Sequence, residues 1–419
     1  MLPSPFSTSL SRTLFSAASK LPATSIRSFR IRAVVFSKLL SRNGRSFAQA
    51  TAAPKSLPSD IPIEEELIPG YDPKRFYHPN WMGTTSTVWL AQDVRWRWGS
   101  KPCVAIKINA CTSHNGAAAR HELEISNHIA SEKSDESGHR YVRTVEDSFE
   151  ISGPNGSHLC LVFEPMREPI WLLRRKLGTD KVTRDFLPFF KLYVIVLLDG
   201  LDYLHTKCSI IHTDLKLDNI LVTFEDKSVI DEFIQGQTQE PLSQKVLDDR
   251  TIYLSHNDFG HLRLIRDTPA LMKICPKITD FGLAQRGDRQ EPLIHPIQVD
   301  HCHAPEVLLG TGWSAQHHLA EMIALLGPVP SGLVKRERNM RHWKWAPDAI
   351  NAKGKLCNNA ADFYGGPFLI IMDIVPECVV DKEVEVFLSF IRSMLCWLPE
   401  ERATAKELQN HPWLDLTRE

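Results

Sequence analysis

The 419-residue chain lacks any uninterrupted apolar run approaching the roughly 18 residues that a membrane-crossing helix needs; its longest such stretch lies at 192–198. No membrane span is therefore expected. It also lacks any Cys-x-x-Cys pair: its nine cysteines are odd in number and scattered. That argues against a disulfide framework or a zinc ribbon and fits reduced thiols in an intracellular compartment. His301-Cys302-His303 has the wrong spacing for a zinc site. Acidic residues are missing from the first 59 positions, which hold nine lysines and arginines, and the first acid is Asp60.

That asymmetry organises the chain. The net charge is −1, but beyond residue 59 the chain carries 40 basic against 50 acidic residues, a net of −10. A body of that sign favours a basic partner over nucleic acid, and no nucleic-acid partner is expected. Residues 1–58 are basic and Ser-rich, as in Ser25-Ile26-Arg27-Ser28-Phe29-Arg30. This is the profile of a mitochondrial presequence, and equally of a disordered basic tail. The compartment follows from that choice: mitochondrial in the first case, cytoplasm and nucleus in the second. Residues 59–70, with Pro62, Pro69 and the acidic run Glu64-Glu65-Glu66, read as a linker. A hydrophobic content of 43% leaves enough apolar surface for one large two-lobed core.

Periodicity locates the elements beyond the linker. Ser86-Thr87-Val88-Trp89-Leu90-Ala91 alternates as a strand does, and the run from Cys103 to Ile108 is a second β-rich segment, predicting an antiparallel pair. Ile125 and Ile129 recur at i and i+4, the buried stripe of a helix. Leu159-Cys160-Leu161-Val162-Phe163 is continuously apolar, hence a buried strand, and it empties into Glu164-Pro165-Met166. Residues 192–205 have the spacing of a long buried helix that leads into Ile210-Ile211.

The chemistry is concentrated in His212-Thr213-Asp214-Leu215-Lys216-Leu217-Asp218-Asn219, followed downstream by Asp280-Phe281-Gly282. Carboxylate and amide oxygens are the hard ligands that magnesium prefers, while an aspartate and a lysine two residues apart can take a proton and steady an anion. Val104-Ala105-Ile106-Lys107 precedes these motifs and Ala304-Pro305-Glu306 follows them. In this order they resemble the protein kinases. The resemblance implies an α+β, bilobal protein-kinase-like fold with a small antiparallel β lobe at 71–164 and a larger, mainly helical lobe at 165–415. It also implies ATP and Mg2+ as cofactors.

By the same resemblance Asp214 receives the proton of a substrate hydroxyl, Lys216 steadies the γ-phosphate, and Asn219 and Asp280 hold magnesium. Lys107 binds the α and β phosphates, steadied by Glu122, with Glu124 as the competitor. Gly83, Val88, Ala105, Glu164, Met166 and Leu221 complete the nucleotide site. Glu306 is expected to be buried and paired with Arg402.

A narrower resemblance is to the SR-protein kinase family. It rests on Thr213 where kinases usually have arginine, on the Ser-Thr-Val-Trp-Leu-Ala strand, and on the step of 61 positions from Asn219 to Asp280, which makes room for a spacer insert at about 224–275. It implies a monomeric serine/threonine kinase acting on protein substrates rich in Arg-Ser dipeptides. Thr213 cannot pair with a phosphorylated activation segment as the arginine would, and residues 283–303 contain no Ser, Thr or Tyr. Both point to an activation segment not switched by its own phosphorylation.

The chain departs from the family in two places. Only Gly83 stands where the glycine-rich loop has three glycines, with Asn80 leading directly into Trp81. The central helix of the large lobe is missing where Ser314 runs on towards Gln316. A catalytically impaired nucleotide-binding or scaffold protein is the alternative these departures raise.

Overall fold

The computed structural model describes residues 53–67, 86–92, 103–111, 113–132, 137–153, 156–172, 183–247, 251–254, 259–260, 274–288 and 371–417, with a few isolated positions between 323 and 331. Residues 1–52 of the leader, Gly83, the Ala304-Pro305-Glu306 motif and both departures from the family lie outside the described residues. The strands, in chain order, are β1 (Ser86–Gln92), β2 (Cys103–Asn109), β3 (Asp147–Gly153), β4 (Gly156–Phe163), β5 (Ile210–Ile211), β6 (Ile220–Val222), β7 (Gln244–Val246), β8 (Thr251–Tyr253), β9 (Pro276–Ile278) and β10 (Gln285–Arg286). The helices are α1 (Ser113–Ser131), α2 (Leu187–Thr206), α3 (Ser228–Gln239), α4 (Lys382–Met394) and α5 (Ala405–Gln409). These elements divide into two compact units.

The first unit is built from stretches within residues 1–133, 143–177 and 220–282. Its centre is an antiparallel sheet in the order β1-β2-β4-β3. Register follows from alternation: Val88 lies opposite Lys107 and Leu90 opposite Ala105, so those four side chains share one face. Across β4, Ala105 pairs with Phe163 and Lys107 with Leu161. On the other face Trp89, Ala91, Val104, Ile106, Ile108, Cys160 and Val162 form a buried cluster. On the face of Ala105, that residue packs with Val145, Leu161 and Phe163, joined by half-buried Leu123 of α1. The expected stripe on α1 is present, with Ile125 and Ile129 both buried. Ser126 on the same helix accepts a hydrogen bond from the Val145 backbone at 2.6 Å.

The insert belongs to this unit and not to the helical one, which differs from the division expected from the sequence. The cause is the apolar face of the sheet, whose tryptophan and valines need cover. Tyr253 of β8 meets Trp89 edge-on, ring centroids 6.4 Å apart, and Leu242 joins the same cluster. The end of the leader and the segment expected to be a linker are tied to the insert as well. Leu57 donates to the Gln244 carbonyl at 2.8 Å and Gln244 donates to the Lys55 carbonyl at 2.9 Å. Buried Lys245 reaches Glu66 at 2.8 Å and the Ile61 carbonyl at 3.0 Å. A buried ammonium must be paired, so Lys245 draws this stretch onto the insert.

The second unit is built from the described stretches within residues 134–142, 178–219 and 283–419. Helix α2 packs Leu187 and Leu198 against Phe387, Leu388 and Phe390 of α4, Leu408 of α5, and Trp413 and Leu414 beyond it. Helix α5 starts at a capping box: Thr404 accepts from the Glu407 amide, and the Glu407 carboxylate accepts from the Thr404 amide. Gly138 sits against α2 so closely that an added Cβ would lie 2.3 Å from the Asp199 carbonyl, and no larger residue fits there. Residues 210–211 of β5 pair with β10, joining the start of the catalytic-loop motif to the stretch after Asp280-Phe281-Gly282. Among the described residues no helix is long and apolar enough to cross a membrane.

Candidate active site

In the first unit the lysine motif sits mid-strand, on the face that β1 and β4 leave for polar chemistry. Lys107 Nζ lies 2.8 Å from Glu122 Oε2 and 3.0 Å from Asp280 Oδ1. Of the two glutamates it is Glu122 that lies beside Lys107: it points inward from α1 and is 4% exposed, whereas Glu124 faces solvent. Burial disfavours the Lys107 ammonium, but the Glu122 and Asp280 carboxylates outweigh it and raise its pKa, so the lysine stays charged. Burial pushes Glu122 upward, with Lys107 opposing.

Asp280 follows β9 with φ of 65°, a left-handed conformation that aspartate tolerates better than most residues. It stays exposed while the next residue, Phe281, is buried. Val88 is exposed on the lysine face of the sheet and Ala105 is buried beside it.

The stretch after β4 is held by cations that sequence reasoning did not single out. The Glu164 carbonyl accepts from Arg143 Nε at 3.0 Å, and its carboxylate pairs with Lys277 at 2.6 Å. The Arg143 guanidinium sits over the Phe163 ring at 4.6 Å, and burial lowers its pKa to about 10 against the pull of Glu164 and Glu146. Nothing in the local pattern marks Arg143 or Lys277, because their partner is distant in sequence. Met166 is buried. Leu221 lies half-buried in β6, opposite Lys277 and bridged to Pro169.

In the second unit the catalytic-loop residues form their own network. Lys216 Nζ lies 2.8 Å from Asp214 Oδ2. The Asn219 amide nitrogen donates to the Asp214 carbonyl at 2.9 Å and to its Oδ2 at 3.0 Å. Those two bonds orient the amide, turning its nitrogen towards Asp214 and its oxygen to the other side. The Asp214 backbone N–H donates to His212 Nδ1 at 3.3 Å, and both residues are buried. Thr213 adopts a φ of 62°, and its hydroxyl donates to the Leu283 carbonyl at 2.7 Å. The threonine that cannot bind a phosphate therefore ties the loop to the residue following Gly282.

A lysine held between two carboxylates, and an aspartate flanked by a lysine and an oriented asparagine amide, are the positioning and charge-neutralising groups of phosphoryl transfer. No protein-family model matches the chain. A serine/threonine protein kinase of Aspergillus fumigatus is 28% identical over 444 residues, covering 89% of this chain and 98% of that protein. The serine/threonine-protein kinase SRPK of Physarum polycephalum is 29% identical, covering 79% of this chain and 83% of its own length. SRSF protein kinase 3 of Homo sapiens is 32% identical over a shorter match, 44% of this chain and 34% of that one. A solved kinase domain superposes with a TM-score of 0.54 at 19% identity, over 80% of this chain and 92% of that one.

The fold is the α+β, bilobal protein-kinase fold, and the chain is a serine/threonine protein kinase that uses ATP to phosphorylate protein hydroxyls. The relatives named SRPK and SRSF protein kinase agree with the narrower resemblance drawn from the sequence. That the relatives are named as serine/threonine protein kinases does not favour the catalytically impaired alternative.

Proposed function

We propose that this kinase phosphorylates serines in Arg-Ser-rich protein segments through the residues assigned from the sequence. The observation that carries the reading is Lys107 held between Glu122 and Asp280 at 2.8 and 3.0 Å. A charged lysine kept at a fixed point on a strand is a ready partner for the α and β phosphates of ATP. Asp214 receives the proton of the attacking serine hydroxyl, and Lys216 beside it steadies the transferred phosphoryl group. Asn219 holds Asp214 in place and contributes its amide oxygen, and Asp280 its carboxylate, as hard donors fit for magnesium. When bound, that ion neutralises charge on the phosphates. Val88, Ala105, Met166 and Leu221 supply apolar contacts for the adenine, and the sequence assigns Gly83 to the same nucleotide site.

The net of −10 beyond residue 59 supports a basic target, and the names of the SRSF protein kinases support the Arg-Ser class. Thr213, bonded to Leu283, and the absence of hydroxyl residues at 283–303 support activity without phosphorylation of the activation segment.

The test is transfer of labelled phosphate from ATP to an Arg-Ser repeat peptide by the full chain, with an Arg-free serine peptide alongside. Transfer that disappears on chelating magnesium and in Asp214→Asn is expected. Equal transfer to both peptides would refute the substrate class, and undiminished transfer by the folded variant would refute the role of Asp214.

A further inference from the structure

Beside the residues assigned to nucleotide binding lies a buried ion cluster that this chemistry does not use. Arg167 and Glu168 have fully buried side chains and Glu225 is 1% exposed, so one guanidinium and two carboxylates are out of water together. Arg167 Nη1 meets both oxygens of Glu225, at 2.6 and 2.7 Å. Its Nε donates to Glu168 at 3.0 Å and its Nη2 to the Gly260 carbonyl at 2.9 Å.

Buried ion clusters contribute little net stability over apolar residues of similar volume, because desolvation offsets the attraction. Their distinct effect is directional: a planar fork of donors fixes its partners in register. The direction here is informative. Glu168 is Arg167's neighbour in sequence, but Glu225 is 58 residues away and Gly260 is 93 away. The cluster therefore cross-links the stretch leaving β4 to the insert. The backbone adds a link to β6, the strand that leads into the insert, since Arg167 donates to the Val222 carbonyl at 2.8 Å and Pro169 bridges to Leu221. Met166 immediately precedes Arg167 and Leu221 immediately precedes Val222. Two side chains assigned to the adenine are thus each one residue from the clamp.

We infer that Arg167 and Glu225 are positioning residues for ATP: the insert, through Glu225, sets the placement of Met166 and Leu221 and so the affinity for nucleotide. This rests on the assignment of Met166 and Leu221 to nucleotide binding. It gives the insert a role in the reaction beyond covering the sheet.

The test uses the full chain, measuring KM for ATP, kcat, KM for the peptide and direct MgATP binding. Glu225→Gln keeps the volume and leaves Arg167 balanced one-to-one by Glu168. It is expected to raise the KM for ATP and the Kd for MgATP by about tenfold. kcat at saturating ATP and the KM for peptide should stay within about twofold. Arg167→Lys keeps the charge but not the fork, and should shift ATP affinity in the same direction. Should Glu225→Gln fail to fold, Glu225→Asp, which withdraws the carboxylate by one methylene, gives the same reading.

Lys245→Met loosens the insert at its contact with Glu66, and should lower the melting temperature without changing the KM for ATP. An unchanged KM for ATP in Glu225→Gln with a lowered melting temperature would overturn the inference, leaving the cluster purely structural. So would an equal rise in Lys245→Met. A wild-type chain that does not bind MgATP would overturn the nucleotide-site assignment itself, and the clamp with it.

Discussion

Replacing Glu122 by glutamine tests the polar centre of the first unit with little change of shape. The side chain is 5% exposed and its Oε2 lies 2.8 Å from Lys107 Nζ. Hydrogen bonds to charged groups contribute about 1.5–3 kcal/mol, and removing one partner of a fully buried pair costs about 3–5 kcal/mol. Lys107 keeps Asp280 at 3.0 Å and is itself 17% exposed on its side chain, so the lower end applies, about 2 kcal/mol. At about 1.4 kcal/mol per decade, that is roughly a 30-fold fall in kcat/KM for peptide phosphorylation. Initial rates against ATP concentration, with a melting curve to confirm folding, measure it. Glu124→Gln, on the exposed side of the same helix, should leave the rate unchanged. A loss below about threefold in folded Glu122→Gln, or an equal loss in Glu124→Gln, would refute the argument that this pair places the lysine.

Thr213→Val keeps the branched side chain, and so the same backbone strain at φ 62°, but loses the bond to Leu283. It should cost about 1 kcal/mol in urea unfolding and lower kcat several-fold with the KM for ATP unchanged; wild-type kcat would show that this tether is idle. Tyr253→Ala opens a cavity against Trp89 and should cost about 3–4 kcal/mol in urea unfolding, read by tryptophan fluorescence. A cost under about 1 kcal/mol would mean that the insert does not cover the sheet.

Much of the architecture was legible in advance because it is local. Alternation over residues 86–91 and 103–108 defined β1 and β2 with their facing, and Ile125 and Ile129 marked the buried side of α1. That marking also favours Glu122, three residues before Ile125 on the same helix. The catalytic loop was legible for a related reason: Asp214, Lys216 and Asn219 lie within six consecutive residues, so their hydrogen bonds need little from the rest of the chain. Arg143, Lys277 and the Arg167 cluster were not legible, because each binds a partner 21 to 113 residues away and a lone charge in a sequence carries no sign of it.

The sequence alone determined the reaction class, since the chemistry of phosphoryl transfer needs particular side chains at short, recognisable spacings. It also determined the strands and helices whose periodicity spans several turns or pleats. Only the tertiary structure decided where the insert belongs, that residues 55–66 are bound to it, and that Thr213 holds Leu283. Those outcomes depend on which apolar face is left uncovered and which buried charge still needs a partner, quantities that exist only once distant segments have met.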